Sequence, residues 1–523
     1  MTGPTRHVLV VGNGMAGARL AEEVRHRDPD ATRFRVTVVG EEPHAAYNRV
    51  LLSTVVAGGI TARDTRLKPD GWWAARHIDV LSGARVVAAD TGARTATLVG
   101  PATGGATRTV AWDELVLATG STAFVPPVEG LYAGVVAPGA PLAADVVAFR
   151  TVDDCDAIVS AAERSRTAVV VGGGLLGIEA ARGLLARGVD VTVVHPRAVP
   201  MERQLDDDGG TVLTRVLRGL GARLVLGHHV VARHPASGGQ PAHVVLDDGT
   251  AVGADLVVVA AGVRPRTDLA VTLGLDVDRG IVVDDTLATS TPHVHAIGEC
   301  AQHRGQVPGL VQPGWDQARV LADVLTGSDP AATYEGTSLL TRLKAHDIDL
   351  ASMGTVDVDV HDAGHEVLAF TDPSRGRYAK LVLRQDRLVG AILLGVGDAA
   401  GALTQLFDTG AAVPRDRLSL MLGRAITRSG ATESVNLAEM PGAAVICRCN
   451  TVTKSAIVRA HRAGAVTVGA VAEATRATTG CGSCASAVDG LCSWLRSSEP
   501  APAPRTSTPE PVPAAAALTE GAA

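Results

Sequence analysis

A glycine-rich pattern that occurs twice constrains the fold of this 523-residue chain more than any other feature. The first copy, G-x-G-x-x-G at Gly12, Gly14 and Gly17, lies between a strand-like run and a helix-like run. The first glycine permits a tight turn, the second lets the backbone approach a pyrophosphate, and the third allows close packing. Free N–H groups and the dipole at the helix N-terminus favour that anion. The next strand ends at Glu41, whose carboxylate can accept hydrogen bonds from an adenosine ribose.

The second copy has its glycines at Gly172, Gly174 and Gly177. After the following strand, the position of the acid is taken by His195, and Arg197 stands two residues further on. This basic pair predicts contact with a 2′-phosphate, but the alternative that both side chains face solvent stays open. The sequence therefore does not choose between NADH and NADPH. Two fingerprints indicate two dinucleotides, and FAD with a nicotinamide nucleotide is the chemically sensible pair.

Apolar runs around these glycines predict the fold class. Aromatic residues make up only 3% of the chain, so the cores depend on valine, leucine, alanine and isoleucine. Short runs rich in β-branched residues and bounded by glycine are typical of buried parallel strands. They are found at 8–11, 36–39, 168–171, 189–194 and 256–260. The prediction is an α/β protein with two Rossmann-like dinucleotide-binding domains.

Charge and hydropathy exclude several classes of function. The net charge of −7 argues against nucleic acid as the main partner, because phosphate binding needs a basic surface. No apolar run reaches the roughly 18 residues of a membrane span, and the N-terminal residues lack a signal-peptide layout. We therefore expect a cytoplasmic protein that binds neither nucleic acid nor membrane. In a reducing compartment, its seven cysteines are metal ligands, redox groups or buried thiols rather than a disulfide framework.

Four of the cysteines form a metal-ligand pattern near the C-terminus. Cys447 and Cys449 make a C-x-C pair, and after 31 residues Cys481 and Cys484 make a C-x₂-C pair. Four thiolates in two close pairs can bind Zn²⁺ or an iron–sulfur cluster, and the residues alone leave both open.

The order of motifs in residues 1–330 resembles the FAD-dependent pyridine-nucleotide oxidoreductases, which have the glutathione-reductase-like fold. Between and after the fingerprints come ATG at 118–120, AGVRP at 261–265 and IGEC at 297–300. The resemblance implies that the nicotinamide domain is inserted into the FAD domain. It also implies that Glu299 binds the ribityl chain of FAD, and that Thr119 and Gly120 lie near its phosphates or ribose.

A second segment narrows the resemblance. Disulfide reductases of the family carry a cysteine pair soon after the first acid, and the matching stretch here, 44–58, has none. That stretch resembles the Y-N-R-V-x-L-S segment of nitrite reductase large subunits, which implies that Tyr47, Asn48 and Arg49 lie beside the flavin; a surface ion pair is the alternative for Arg49. Glu179 resembles a family glutamate that faces the nicotinamide pocket; a helix-surface glutamate is the alternative. Arg49 and Glu179 are the candidate catalytic residues.

The cysteine segment resembles the [2Fe–2S] domain of bacterioferritin-associated ferredoxins, which also follows the flavin domain in nitrite reductase large subunits. The expected division of the chain is a FAD-binding domain at 1–140 and 276–330, an NAD(P)-binding domain at 141–275, a small α/β domain at 331–430, a [2Fe–2S] domain at 443–497 and a disordered tail at 498–523.

This arrangement implies an FAD-dependent NAD(P)H oxidoreductase whose partner is a terminal nitrate or nitrite reductase subunit or another one-electron acceptor protein. The C-x₅-C and C-x₃-C ligand pattern of the sirohaem domain is not found in the sequence, so we expect nitrite reduction to occur on a partner. The alternatives are a reductase for a ferredoxin or rubredoxin that feeds an oxygenase, and a redox- or iron-sensing module. The terminal acceptor, the oligomeric state and the cluster potential stay open.

Overall fold

The computed structural model describes residues 5–343, 345, 347–421, 440–447, 452–478 and 484–498. Contacts between residues divide the chain into two compact units, Met1–Val435 and Asn436–Ala523. The predicted tail lies outside the described residues except for its first position.

The strands, in chain order, are β1 Arg6–Val11, β2 Phe34–Gly40, β3 Ile78–Ser82, β4 Arg85–Asp90, β5 Thr95–Val99, β6 Arg108–Ala111, β7 Glu114–Leu117, β8 Ser121–Ala123, β9 Val146–Ala148, β10 Thr167–Val171, β11 Asp190–His195, β12 Arg223–Leu226, β13 Val230–His234, β14 His243–Leu246, β15 Ala251–Gly253, β16 Leu256–Val259, β17 Val263–Pro265, β18 Ile281–Val283, β19 Val294–Ala296, β20 Ala301–His303, β21 Leu340–Arg342, β22 Leu350–Gly354, β23 Glu366–Asp372, β24 Arg377–Arg384, β25 Arg387–Leu394, β26 Val445–Cys447 and β27 Val452–Thr453.

The α-helices are α1 Met15–Arg27, α2 Leu52–Val56, α3 Val152–Ala162, α4 Leu175–Ala186, α5 Asp207–Gly219, α6 Asp268–Thr272, α7 Val311–Thr326, α8 Ala400–Thr409, α9 Arg417–Met421, α10 Lys454–Arg462, α11 Val468–Thr475 and α12 Ala485–Ser498. Short 3-10 helices are Arg49–Leu51, Ala62–Thr65, Ala74–Arg76, Pro101–Thr103, Gly298–Cys300, Pro373–Arg375 and Gly397–Ala399.

A parallel five-stranded sheet contains the first fingerprint. Its strand order is β19-β7-β1-β2-β3, and every neighbouring pair is parallel. The apolar residues of β1 are almost entirely buried because helices cover a parallel sheet on its faces. Strand β19 comes almost three hundred residues after β1, so the chain returns to the first sheet after completing other structure.

A second parallel sheet contains the second fingerprint. Its strand order is β12-β11-β10-β16-β9, again with every neighbouring pair parallel. The predicted α/β class with two Rossmann-like sheets is thereby confirmed. Strand β8, which follows β7 of the first sheet, pairs antiparallel with β17, which follows β16 of the second sheet. Ala123 lies opposite Val263 in this pair.

The predicted small α/β region is mainly a sheet. Strands β21-β22-β25-β24-β23 are antiparallel, and α8 packs on β25. Helix α7 begins at Val311. Pro313 lies in its first turn, where a proline does not remove an intrahelical hydrogen bond.

The C-terminal unit has its own small core. Strands β26 and β27 pair antiparallel, and the side chains of α10, α11 and α12 meet at Ile457, Val471, Val488 and Leu491, all fully buried. Among the described residues of the whole chain, no helix combines the length and the apolar character needed to cross a bilayer.

Candidate functional site

The first fingerprint is packed so that two of its glycines are obligatory. A Cβ on Gly12 would lie 2.0 Å from the carbonyl oxygen of Ala118, and one on Gly17 would lie 2.0 Å from the carbonyl oxygen of Gly12. Gly14 precedes α1, and a Cβ there would meet no described atom within 4 Å. The loop is therefore closely packed at Gly12 and Gly17 and has open space at Gly14, next to the helix N-terminus, where a bound pyrophosphate would need it.

The second fingerprint repeats this geometry. A Cβ on Gly172 would lie 2.4 Å from the carbonyl oxygen of Ala260, and one on Gly177 would lie 2.0 Å from that of Gly172. Gly174 precedes α4 and again faces space free of described atoms within 4 Å. Both loops fit a dinucleotide by the same test.

Two amide side chains beside the first fingerprint each have a buried polar atom without a hydrogen-bond partner among the described residues. Gln317 accepts a hydrogen bond from the backbone N–H of Gly298 at 2.7 Å, and its Nε2 has no partner among the described residues. The Oδ1 of Asn13, between the first two glycines, is also buried without one. Buried polar atoms are normally paired, so these orphaned groups fit a site whose ligand supplies partners.

Glu41 directly follows β2 and has an exposed carboxylate that pairs with Arg266. Arg266 also closes the ATG turn, because its carbonyl oxygen accepts a hydrogen bond from Thr119 Oγ1 at 2.7 Å, and its N–H donates to Gly120 at 2.9 Å. Gly120 has φ +69°, a conformation that favours glycine. The structure thus brings Glu41, Thr119 and Gly120 to the same end of the first sheet.

Glu299 lies in the 3-10 helix Gly298–Cys300, close to the N-terminus of α1, where a Cβ on Gly298 would be 2.9 Å from the Cβ of Ala16. Its carboxylate pairs with Arg150 and accepts a hydrogen bond from Ser121 Oγ at 2.7 Å.

A partly buried polar cluster contains the predicted Asn48 and Arg49. Arg49 pairs with Glu42, donates to the carbonyl oxygen of Arg150 at 3.2 Å, and lies 4.8 Å from the ring centroid of Tyr47. Asn48 is fully buried, and its Oδ1 accepts from the N–H of Val50 at 3.1 Å.

The electrostatics of this cluster keep its carboxylate charged. The Tyr47 hydroxyl donates to Glu42 at 2.6 Å. Burial alone would raise the pKa of Glu42, but Arg49 and the Tyr47 hydroxyl hold it below its usual value. Burial raises the pKa of the Tyr47 hydroxyl. The cluster presents a fixed cation beside a neutral phenol.

Of the residues predicted for the second fingerprint unit, Glu179 lies in α4, whereas His195 and Arg197 lie at and just beyond the end of β11. Glu179 is buried in α4, which removes the alternative of a helix-surface glutamate. His195 is buried at the end of β11, and Arg197 is exposed beyond it.

Two of the four predicted cluster ligands are described. Cys447 ends β26 and Cys484 precedes α12, and both belong to the same buried cluster in the C-terminal unit. The structure therefore brings a cysteine of the first pair and one of the second pair into one core. Cys449 and Cys481 lie outside the described residues.

Several residues of the site carry no sequence motif. Arg150, Ser121 and Gln317 come from different elements and meet around Glu299 or Gly298 only in the folded chain. For Glu42 the sequence offers only a weak indication of a role in the site, namely its position between Glu41 and the segment that begins at Tyr47.

Comparison with protein families gives three matches along the chain. Residues 6–318 match the pyridine nucleotide-disulphide oxidoreductase family, residues 340–407 match the rubredoxin NAD+ reductase C-terminal domain, and residues 445–493 match the BFD-like [2Fe–2S] binding domain.

Relatives with curated names extend the likeness over most of the chain. A nitrite reductase [NAD(P)H] of Bacillus subtilis is 36% identical over 92% of the chain and 56% of the relative. An assimilatory nitrate reductase electron transfer subunit of the same organism is 35% identical over 94% of the chain and 60% of the relative. The chain thus spans under two thirds of the length of these relatives. The solved structure of a ferredoxin reductase from Rhodopseudomonas palustris is 26% identical, with a TM-score of 0.68, over 81% of this chain and 100% of the other.

Proposed function

Because the chain belongs to the pyridine nucleotide-disulphide oxidoreductase family and carries a BFD-like [2Fe–2S] domain, we propose that it supplies electrons from NAD(P)H to an assimilatory nitrate or nitrite reductase. The family consists of FAD-dependent oxidoreductases that use NAD(P)H, so FAD, NAD(P)H and a [2Fe–2S] cluster are the groups this chain works with. The observation that carries the proposal is the union of two dinucleotide loops with a four-cysteine domain in one chain. A relative that is 35% identical over 94% of this chain is named an assimilatory nitrate reductase electron transfer subunit.

Bound FAD supplies the change from a two-electron hydride donor to a one-electron acceptor, which neither a nicotinamide nor a [2Fe–2S] cluster provides. The chain's own residues bind and orient. Gly12, Gly14 and Gly17 with the N-terminus of α1 would hold the FAD pyrophosphate, and Glu41 its adenosine ribose. Glu299 would accept hydrogen bonds from the ribityl hydroxyls once Arg150 and Ser121 have positioned its carboxylate.

The residues proposed to lie beside the reacting rings are Arg49, Asn48 and Glu179. Arg49 is held in place by Glu42 and by the face of Tyr47, so beside a bound flavin its fixed positive charge would stabilise negative charge on the ring. Glu179 lies in the helix that follows Gly177 and would border the nicotinamide pocket. Gly172, Gly174 and Gly177 would hold the pyrophosphate of the nicotinamide nucleotide.

For the cluster we propose four thiolate ligands, Cys447, Cys449, Cys481 and Cys484. Iron and acid-labile sulfide analysis tests this assignment, because zinc without sulfide would contradict it. The expected domain limits, the cytoplasmic location and the terminal reductase as partner stay predictions.

The proposed function is tested with the purified chain alone and with its acceptor. With NAD(P)H, the chain should reduce ferricyanide rapidly, because ferricyanide accepts electrons directly from the reduced flavin. It should consume no nitrite until a nitrate or nitrite reductase is added. Nitrite consumption by the isolated chain would contradict the proposal.

A pair of cysteine variants separates the two electron-transfer steps. Cys447→Ser should keep ferricyanide reduction and abolish reduction of the acceptor reductase, because the cluster is lost. Cys492→Ala is the matched control, since Cys492 is buried in the same core but stands outside the ligand pattern. If Cys447→Ser still drives the acceptor reductase at the wild-type rate, the cluster does not carry the electrons.

A second candidate function is a reductase for a rubredoxin or ferredoxin. Its specific support is the match of residues 340–407 to the rubredoxin NAD+ reductase C-terminal domain. A rubredoxin-NAD(+) reductase of Alcanivorax borkumensis is 30% identical over 62% of this chain and 80% of the relative. Under this function, Cys447→Ser would reduce rubredoxin as fast as the wild type does.

A further inference from the structure

The ring of His195 faces the second fingerprint loop rather than open solvent. His195 is 6% exposed, and its Nδ1 accepts a hydrogen bond from the backbone N–H of Gly173 at 3.0 Å. A backbone N–H can only donate, so Nδ1 must keep its lone pair and the ring proton resides on Nε2. In this geometry the imidazole is neutral and contributes no positive charge for a 2′-phosphate.

The protonated nitrogen of the same ring, Nε2, contacts the carboxylate of Glu202. Nε2 of His195 lies 3.1 Å from Oε2 of Glu202, and the Glu202 side chain is 35% exposed. Glu202 stands seven residues beyond the end of β11. The histidine therefore links the glycine loop to a carboxylate that is anchored on one side and accessible on the other.

The backbone next to Glu202 is attached to the same glycine. The N–H of Met201 donates to the carbonyl oxygen of Gly173 at 3.0 Å, so both polar groups of Gly173 are engaged by this structure. Met201 is fully buried with φ +57°, a strained conformation for a residue with a Cβ. Strain of this kind persists where the surrounding structure enforces it, and it is concentrated at functional sites.

The segment that carries Glu202 is also held in place after that residue, by side chains of the antiparallel sheet β21 to β25. Ser352 Oγ donates to the carbonyl oxygen of Gln204 at 2.6 Å. Asp206 accepts hydrogen bonds from the Tyr378 hydroxyl and from Lys380 Nζ, both at 2.7 Å. Glu202 is thus carried by a loop with attachments on both sides of it.

We propose that Glu202, positioned by His195, makes the chain select NADH over NADPH. This inference rests on the proposed function, because it assumes that the second fingerprint binds a nicotinamide nucleotide. The carboxylate accepts hydrogen bonds from the hydroxyls of the adenosine ribose and repels the negative charge of a 2′-phosphate. Glu202 takes the role of the acid that is missing from the end of β11.

The competing determinant is Arg197, which is exposed and two residues beyond His195. An arginine near the ribose favours NADPH by pairing with the 2′-phosphate. Glu202 predicts a preference for NADH and Arg197 a preference for NADPH. Measuring which nucleotide binds more tightly therefore shows which of the two residues determines the preference.

The test measures binding without turnover. The full chain, loaded with FAD and cluster, is titrated by calorimetry with ADP-ribose and with 2′-phospho-ADP-ribose, which differ only in the phosphate. We expect the wild type to bind ADP-ribose about 100-fold more tightly. Glu202→Gln should reduce this ratio to about tenfold or less, and Glu202→Arg should reverse the preference. Glu163→Gln, an exposed glutamate at the end of α3, is the control and should keep the wild-type ratio.

Variants of His195 test its positioning role. Gln retains an acceptor for the N–H of Gly173 and a donor for Glu202, so His195→Gln should preserve the ratio. His195→Ala loses both groups and should lower the ratio to that of Glu202→Gln. A merely structural role for His195 would lower both affinities together and leave the ratio unchanged.

The outcomes are distinguishable. A wild-type chain that binds 2′-phospho-ADP-ribose as tightly as ADP-ribose, or a Glu202→Gln variant with an unchanged ratio, overturns the role of Glu202. Loss of 2′-phospho-ADP-ribose binding in Arg197→Ala would then assign the preference to Arg197. Failure of the wild type to bind either ligand would contradict the proposed function itself, and the inference with it.

Discussion

Glu114 is a buried carboxylate in the core of the first sheet. It begins β7, and it accepts hydrogen bonds from His295 Nε2 and His293 Nδ1, each at 3.0 Å, and pairs with Arg6. Burial by itself would raise the pKa of Glu114, but the two histidines and Arg6 lower it from 4.5 to about 2. The carboxylate therefore stays charged because its partners outweigh the loss of hydration.

We expect Glu114→Gln to lower the free energy of unfolding by about 3 kcal/mol at pH 7, because a neutral amide replaces the buried carboxylate that pairs with Arg6, His293 and His295. The pKa of Glu114 is lower in the folded chain, so its stabilisation is complete above about pH 4.5 and is lost as the pH falls towards 2. The difference between variant and wild type should shrink over that range in urea unfolding followed by tryptophan fluorescence. Equal differences at pH 7 and pH 3 would contradict the charged role. Glu163→Gln, at an exposed position, should have no comparable effect.

The residues of the dinucleotide sites differ in how far the sequence could predict them. The fingerprint pattern predicts an acid directly after the second strand of the first unit, and Glu41 directly follows β2 in the structure. Glu202 could not be found in this way, since it reaches the second loop through a turn of several residues and a side-chain hydrogen bond. Periodicity and spacing describe neighbours along an element, whereas contacts made through loops depend on the folded path of the chain.

At the scale of elements, the two fingerprint units were predictable because each is a local strand–loop–helix unit. Their glycines, strands and helices follow one another within about thirty residues, so a linear pattern contains them. The antiparallel sheet of β21 to β25 was predicted only as a small α/β region. Its pairing joins β21 to β22 and β22 to β25, and such partners are chosen by packing rather than by local pattern.

Two glycines of one fingerprint should respond differently to the same substitution. Gly174 has φ −74° and open space where a Cβ would point, so Gly174→Ala should fold with a change in stability within about 1 kcal/mol. The new methyl group would occupy the space proposed for the pyrophosphate, and ADP-ribose affinity should fall at least about tenfold.

In Gly177→Ala the Cβ would lie 2.0 Å from the carbonyl oxygen of Gly172, which forces the helix away from the strand. We expect a loss of about 2 kcal/mol or more in stability. Thermal unfolding and calorimetry on both variants separate the two roles. Normal ADP-ribose affinity in a folded Gly174→Ala variant would contradict a pyrophosphate at this loop.

At the scale of the whole molecule, the order of the matched regions was predictable from the order of the motifs in the sequence. The family match over 6–318 and the [2Fe–2S] match over 445–493 follow the expected order. The four candidate cluster ligands were predicted from their spacing, because metal-binding thiolates commonly come in close pairs along a chain. Residues such as Arg150 and Gln317 have no such spacing, since their partners lie far away in the sequence.

The proposed function fixes how many electrons one chain can store. FAD takes two electrons and a [2Fe–2S] cluster takes one, so anaerobic titration of the full chain should consume about 1.5 equivalents of NADH. Cys447→Ser should consume about one equivalent, and the control Cys492→Ala should match the wild type. The flavin absorbance and the electron paramagnetic resonance signal of the reduced cluster are followed together. If the flavin of a chain with full iron and sulfide content is bleached while its cluster stays oxidised, electrons do not pass between the two groups and the chain cannot act as proposed.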